Sequence, residues 1–196
     1  MVNNFEIIKN LLKFENEDQF YFLQIIKRKK ENEDLNANAK VVKTFYINNL
    51  DYFLNVEDEI KALCKIHNAR AYINLNRRSF KKIAFHLLKK ITDQILAEDY
   101  FNVRNSYDSV CGQINDEKEK SWILDIDEHN PILINNVIDS LQHLQPLEIK
   151  NKLKATIPTK NGLHLITSPF NVSDFKQIFP QVDIHKNNPT LLYIYQ

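Results

Sequence analysis

In Trp122-Ile123-Leu124-Asp125-Ile126-Asp127-Glu128 an apolar run leads into two aspartates spaced two residues apart. In a strand, residues two apart project from the same face. Asp125 and Asp127 are therefore expected side by side, with Leu124 and Ile126 turned into a core. Adjacent carboxylates repel unless a cation sits between them, and magnesium and manganese take such hard oxygen ligands. At the end of an apolar strand the pair reads as a metal platform suited to phosphoryl transfer. The same spacing also fits a solvated strand end.

Downstream of this strand, Pro131 opens a helix with Ile134, Val137, Ile138, Leu141 and Leu144 on one side. Leu163 to Thr167 reads as a strand, Ser173 to Phe179 as a short helix, and Val182 to His185 and Leu191 to Tyr195 as two closing strands. The order β-α-β-α-β-β fits a compact sheet with helices on one face, an α/β (α+β) unit.

Upstream, residues 3 to 14 read as a helix carrying Phe5, Ile8, Leu11 and Leu12. Residues 17 to 30 read as a second, aromatic helix ending in Lys27-Arg28-Lys29-Lys30. A polar loop, Glu31 to Ala39, precedes a strand from Val41 to Ile47. A helix through Val56, Ile60, Leu63 and Cys64 runs to about His67, and Ala71 to Leu75 is a short strand. Ser79 is placed to cap a helix whose apolar stripe is Phe80, Ile83, Ala84, Leu87, Leu88, Ile91 and Ile95. Residues 102 to 120 are polar and read as an irregular connector. The expected organisation is one domain over 1–196, with lobes of about 1–110 and 111–196.

Three further groups bear chemistry. In Pro158-Thr159-Lys160-Asn161-Gly162-Leu163-His164 a tight Asn-Gly turn feeds a strand. Gly162 is expected to leave room for a ligand beside His164. Lys160, Thr159 and free amides of the turn suit phosphate, and His164 suits a phosphate oxygen or a proton. A plain hairpin with a structural histidine fits the same residues. Asp183 shares a strand face with His185 and offers a third carboxylate. Arg70, Tyr72, Arg77 and Arg78 surround a strand and a helix start, where arginines suit phosphate and an aromatic ring stacks a base. Lys81, Lys82, Lys89 and Lys90 extend the cluster, with Lys89 and Lys90 read as a solvated helix face.

Composition narrows the field. Only two glycines, Gly112 and Gly162, are present, which excludes the glycine-rich dinucleotide fingerprint and the Walker A loop. Two cysteines, Cys64 and Cys111, with no Cys-x-x-Cys pair, give neither a disulfide framework nor a zinc knuckle. A formal charge of +1 is compatible with an acidic metal site offset by a basic groove. The start of the sequence lacks a basic, then apolar leader and no bilayer-length apolar run follows, so a cytoplasmic protein is expected.

The succession of an apolar strand ending in Asp-x-Asp, a Lys-x-Gly-x-His strand and an apolar-Asp strand resembles the archaeo-eukaryotic primase (primase-polymerase) superfamily. Leu124-Asp125-Ile126-Asp127 looks like its first motif, Lys160-Asn161-Gly162-Leu163-His164-Leu165 like its second, and Val182-Asp183 like its third. The resemblance covers residues 121 to 196. It implies an N-terminal α/β lobe beside an RNA-recognition-like antiparallel sheet carrying the metal site. It further implies that Asp125, Asp127 and Asp183 hold two divalent metals, Mg2+ or Mn2+. Lys160, Thr159, Gly162 and His164 would bind a nucleoside triphosphate, and Arg70, Tyr72, Arg77 and Arg78 the nucleic acid. The implied activity is that of a DNA primase or primase-polymerase on single-stranded or primed DNA, in replication or repair, with a helicase or other replication protein as partner. Thr159 stands where the family often has serine, and no arginine follows the third motif. These departures motivate a second reading, a catalytically degenerate module that binds single-stranded nucleic acid. A third is a metal-dependent nuclease on the same acidic platform.

Overall fold

The computed structural model describes residues 1–195 and shows a mixed α/β architecture built on two antiparallel sheets. Among the described residues, the large sheet joins β1 (Val2–Asn3), β2 (Gln19–Arg28), β3 (Ala39–Ile47), β4 (Arg70–Ile73), β5 (Arg78–Ser79) and β10 (Thr190–Ile194). Its order is β1-β10-β4-β2-β3, with β5 paired to the start of β2. The small sheet has the order β7-β8-β6-β9, from β6 (Trp122–Ile126), β7 (Leu153–Pro158), β8 (Leu163–Thr167) and β9 (Asp183–His185).

The segment 17–30, expected as a helix, instead holds β2, an interior strand of the large sheet. Phe20, Tyr21, Phe22 and Leu23 are all buried. A strand covered on both faces is a continuous apolar run and carries no alternation to separate it from a helix. Its odd residues, Tyr21, Leu23 and Ile25, join the main core with Phe45, Ile73, Phe53 and Ile60. Its even residues Phe20 and Phe22 pack with Ile83, Val110 and Cys111.

The expected helix over 3–14 shrinks to α1 (Phe5–Lys9) after β1. Asn4 is buried there and its amide donates to the carbonyls of Pro158 and Leu191, each at 2.9 Å, tying β7 to β10. The helix read from Val56 to about His67 is α3 (Glu57–His67), and a short helix the sequence did not disclose, α2 (Leu50–Asn55), precedes it. Ser79 does cap α4 (Phe80–Leu96), accepting from the Lys82 amide at 3.1 Å. Of the stripe assigned to α4, Ile83 alone is buried, whereas Leu88 and Ile95 are exposed. The connector 102–120 is not irregular throughout, because it holds α5 (Ser106–Gln113), with Val110 and Cys111 buried against β2.

In the small sheet, alternation is clean. Leu124 and Leu165 face α6 (Pro131–His143) and α7 (Val172–Ile178), packing on Val137, Leu141 and Phe175. Ile123, Ile157 and Ile166 face the main core. Strand β7 was absent from the sequence reading, and β10 leaves the small sheet for the large one, so the two sheets do not divide the chain at residue 110. Asn76 fixes the junction by donating to Ser121 O at 3.0 Å and Lys186 O at 3.2 Å and accepting from the Ser121 amide at 2.6 Å. No helix of the described residues is long and apolar enough to cross a membrane.

Candidate functional site

A cleft of about 590 Å³ opens where the two sheets face each other. Its small-sheet wall carries Asp125 from β6 and Asp127 just past its end, Thr159, Lys160 and Asn161 from the β7–β8 turn, His164 from β8 and His185 from β9. Register accounts for the first row: Asp125 pairs with His164 on one side and Asp183 on the other. Directly opposed residues in an antiparallel pair share a face. The large-sheet wall carries Arg70 and Tyr72 from β4 and Ile26 and Arg28 from the even face of β2, with Lys30 just beyond.

Asp125 is the centre of the small-sheet wall. Its Oδ1 lies 3.4 Å from His164 Nε2, and its Oδ2 lies 3.9 Å from His185 Nε2. The far nitrogen of His164 is 2.8 Å from Thr190 Oγ1 on β10, so the imidazole is anchored to the opposite sheet. His185 is similarly set by Asn188, 3.2 Å from Nδ1. The His164 imidazole holds the Asp125 carboxyl below its ordinary value of 3.8 against the opposing effect of partial burial, and the fields of both histidines add to this. Asp127 is exposed, and its carboxylate makes no hydrogen bond or ion pair with another described residue.

On the facing wall, the Arg70 guanidinium grips Glu31 through two nitrogens, Nε at 3.0 Å from Oε2 and Nη2 on Oε1. Lys160 Nζ approaches the same carboxylate at 3.4 Å, bringing the turn of the small sheet against the large one. Burial raises the Glu31 pKa, but Arg70 first and Lys160 second outweigh it, and the net displacement is downward. Arg28 donates to the Tyr72 hydroxyl at 3.2 Å. Neither Arg28 nor Lys30 has a carboxylate partner within ion-pair distance among the described residues. The cleft therefore sets two carboxylates opposite Arg28, Lys30 and Arg70, with Lys160 on the carboxylates' own wall.

Several expectations are corrected. Asp183 stands opposite Asp125 in register, yet its side chain is 75% exposed, lies 4.0 Å from Lys176 and does not line the cleft. Arg77 is buried in ion pairs with Glu117, at 2.7 Å, and Glu15, at 3.0 Å. Arg78 is wholly buried and donates to the carbonyls of Cys111, at 2.8 Å, and Asn76. Desolvation lowers its pKa to about 10. Both arginines are internal ties and do not reach the cleft. Gly162 makes room for backbone, not for a ligand: a Cβ there would fall on the Ile126 carbonyl and within 3.0 Å of the Glu128 amide. The absent side chain lets the β7–β8 turn press on the end of β6 beside Asp127. The Gly162 amide is also used, donating to Thr159 Oγ1 at 3.1 Å. Cys64 and Cys111 are buried, which pushes each thiol up to about 12 and leaves neither suited to nucleophilic attack.

Arg28, Lys30, Glu31 and His185 were missed as site residues. Reading β2 as a strand would have put Arg28 on the face of Ile26, and His185 shares a strand face with Asp183 by spacing alone.

As to metal, Asp125 and Asp127 supply hard oxygens on one face, and Asp127 is uncompensated. That donor set fits a magnesium or manganese ion that completes its shell with water and phosphate oxygens. Among the described residues no group of three or more His, Cys, Asp or Glu side chains is placed to hold an ion by itself. Comparison with protein-family models, with curated proteins and with solved structures gives no match.

Proposed function

We propose that the chain is a metal-dependent nucleotidyltransferase of the primase-polymerase type, with a primase-polymerase-like fold, acting on single-stranded or primed DNA. The carrying observation is the cleft between the sheets, where the Asp125–Asp127 pair faces Arg28, Lys30, Arg70 and Tyr72, with Lys160 on its own wall. Magnesium or manganese held by Asp125 and Asp127 would supply charge neutralisation at the transferring phosphoryl group and a lowered pKa for the attacking hydroxyl. The chain's own residues do the rest. Lys160 contacts the triphosphate from the small sheet, and His164, held between Asp125 and Thr190, positions the Asp125 carboxylate beside it. Arg70, oriented by Glu31, approaches from the large sheet. Tyr72 offers a ring for a base, and Arg28 and Lys30 sit where a strand's phosphates would leave the cleft.

One observation favours a second reading, a non-catalytic strand-binding module: Asp183 is turned to Lys176 and leaves two carboxylates where the family motif implies three. Primer extension separates the two. Purified protein is given a primed DNA template, labelled nucleotides and manganese, beside an Asp125→Ala/Asp127→Ala variant. The proposal expects extension by the wild type and a loss of about 10³-fold or more in the variant, the equivalent of several kcal/mol of transition-state stabilisation. Equal extension by both overturns it. No extension by either, with strand binding intact, establishes the second reading.

A further inference from the structure

The end of the β2–β3 hairpin has a second concave side. Arg28 and Ala39 are directly opposed there and line the cleft. The next pair in register, Lys27 and Lys40, projects from the other face of the sheet. On that face a separate cavity of about 650 Å³ is lined by Lys27 and Lys40, by the loop from Asp34 to Ala37, by Val41 and Val42, and by His67 at the end of α3. Like charges directly opposed across an antiparallel pair are destabilising. Local compensation is thin. Lys27 has only 20% of its side chain exposed, and the Asp34 carboxylate that approaches it at 3.8 Å is 76% exposed. Lys40 makes no ion pair, and neither ammonium donates a hydrogen bond among the described residues. The Asn36 and Ala37 amides make no backbone hydrogen bond with a described residue either.

An anion between the two lysines relieves their repulsion, as a cation does between two carboxylates. A phosphate group offers several acceptor oxygens, enough for both ammonium groups and a loop amide at once. We propose that this cavity is a phosphate-binding site, separate from the cleft, which takes a phosphoryl group from a nucleic-acid strand or from a free phosphate compound. Val41 and Val42 give the remainder of the ligand an apolar wall. Arg28, Lys29 and Lys30, all exposed, lead from the cleft round the end of the same hairpin, so a strand leaving the cleft has cations to follow to the site. The site uses neither Asp125 nor Asp127 and does not depend on the cleft being catalytic.

Titration of the full chain, in chelator, with pyrophosphate and with a labelled single-stranded oligonucleotide tests this against Lys27→Gln/Lys40→Gln. Strand binding weakened about tenfold in the variant, with a salt slope reduced by about one to two counterions, supports the site and identifies nucleic acid as its ligand. Pyrophosphate binding lost with strand binding unchanged supports it and identifies a free phosphate compound. In either case Asp34→Asn should tighten the ligand, because it removes the competing carboxylate. The loss should be the same in an Asp125→Ala/Asp127→Ala background, which separates this site from the cleft. The melting temperature of Lys27→Gln/Lys40→Gln at low salt should not fall, since the repelling pair is gone. Should that variant fold poorly, Lys40→Gln, at an exposed position, is expected to weaken the same ligand. Binding of both probes unchanged by these substitutions overturns the proposal.

Discussion

Arg70 opens β4 and Arg78 opens the next strand, β5, yet they do opposite work. Arg70 opens onto the cleft, held in place by Glu31 and Lys160's approach to the same carboxylate. Arg78 points into the body of the large-sheet side and spends its donors on the carbonyls of Cys111, Asn76 and Gly112 and on Asn187 Oδ1. Clustering of cations in sequence therefore does not define a phosphate surface. The partners available on each side of the strand do. Among the described residues Arg78 makes no ion pair and its charge is supported by backbone carbonyls and the Asn187 amide oxygen, whereas Arg77, next to it, is neutralised by Glu117 and Glu15.

The contrast is most open to attack at Arg78. Arg78→Met should remove about 3 kcal/mol or more of stability in urea denaturation, because several buried carbonyls lose their donor at once. A loss below about 1 kcal/mol would show that the arginine is not a structural tie. Gly162→Ala comes next, at about 2 kcal/mol, because the added methyl meets Ile126 backbone, which cannot rotate away. The same variant should impair any metal-dependent activity more than its stability loss explains, since the turn carries Lys160 and abuts Asp127.

The ion-paired glutamates predict a pH response. Burial alone would raise Glu117, but the Arg77 hydrogen bond and charge win, and its pKa lies below the ordinary 4.5. Glu31 is displaced the same way by Arg70 and Lys160. Because the folded values are depressed, the unfolded chain takes up protons first as pH falls. The stabilisation is complete above 4.5 and drains as pH drops through the folded values. The urea midpoint should accordingly fall below about pH 4.5, and Glu117→Gln should flatten that dependence while lowering neutral-pH stability by about 1 kcal/mol. The smallest structural effect belongs to the cleft: Arg28→Ala should change stability by less than about 0.5 kcal/mol. It should still weaken single-stranded DNA binding and reduce its salt slope by about one counterion.

The same difference explains what sequence alone discloses. Asp125 and Asp127 are readable as neighbours because a strand repeats every two residues, and the turn 159–162 brings Lys160 and His164 along by local spacing. Leu124, Ile126 and Leu165 alternate against α6 and α7, so the small sheet was legible except for β7. Strand β2 was not legible, since Phe20 to Leu23 are buried on both faces and leave no periodicity. With β2 hidden, Arg28 and Lys30 looked like the end of a helix and not like one wall of a cleft. Nor does any local pattern show that Thr190 returns to the large sheet to hold His164, or that Asp183 turns to Lys176.

The central claim is that Asp125 and Asp127, with the facing cations, form one site for a metal–triphosphate. Isothermal titration of a nucleoside triphosphate into the protein, with manganese and with chelator, tests it against Asp125→Asn/Asp127→Asn. The account predicts manganese-dependent binding by the wild type, weakened about 100-fold or more in the variant as both carboxylate ligands are lost. Equal binding with chelator, or equal manganese-dependent binding by the variant, would contradict it.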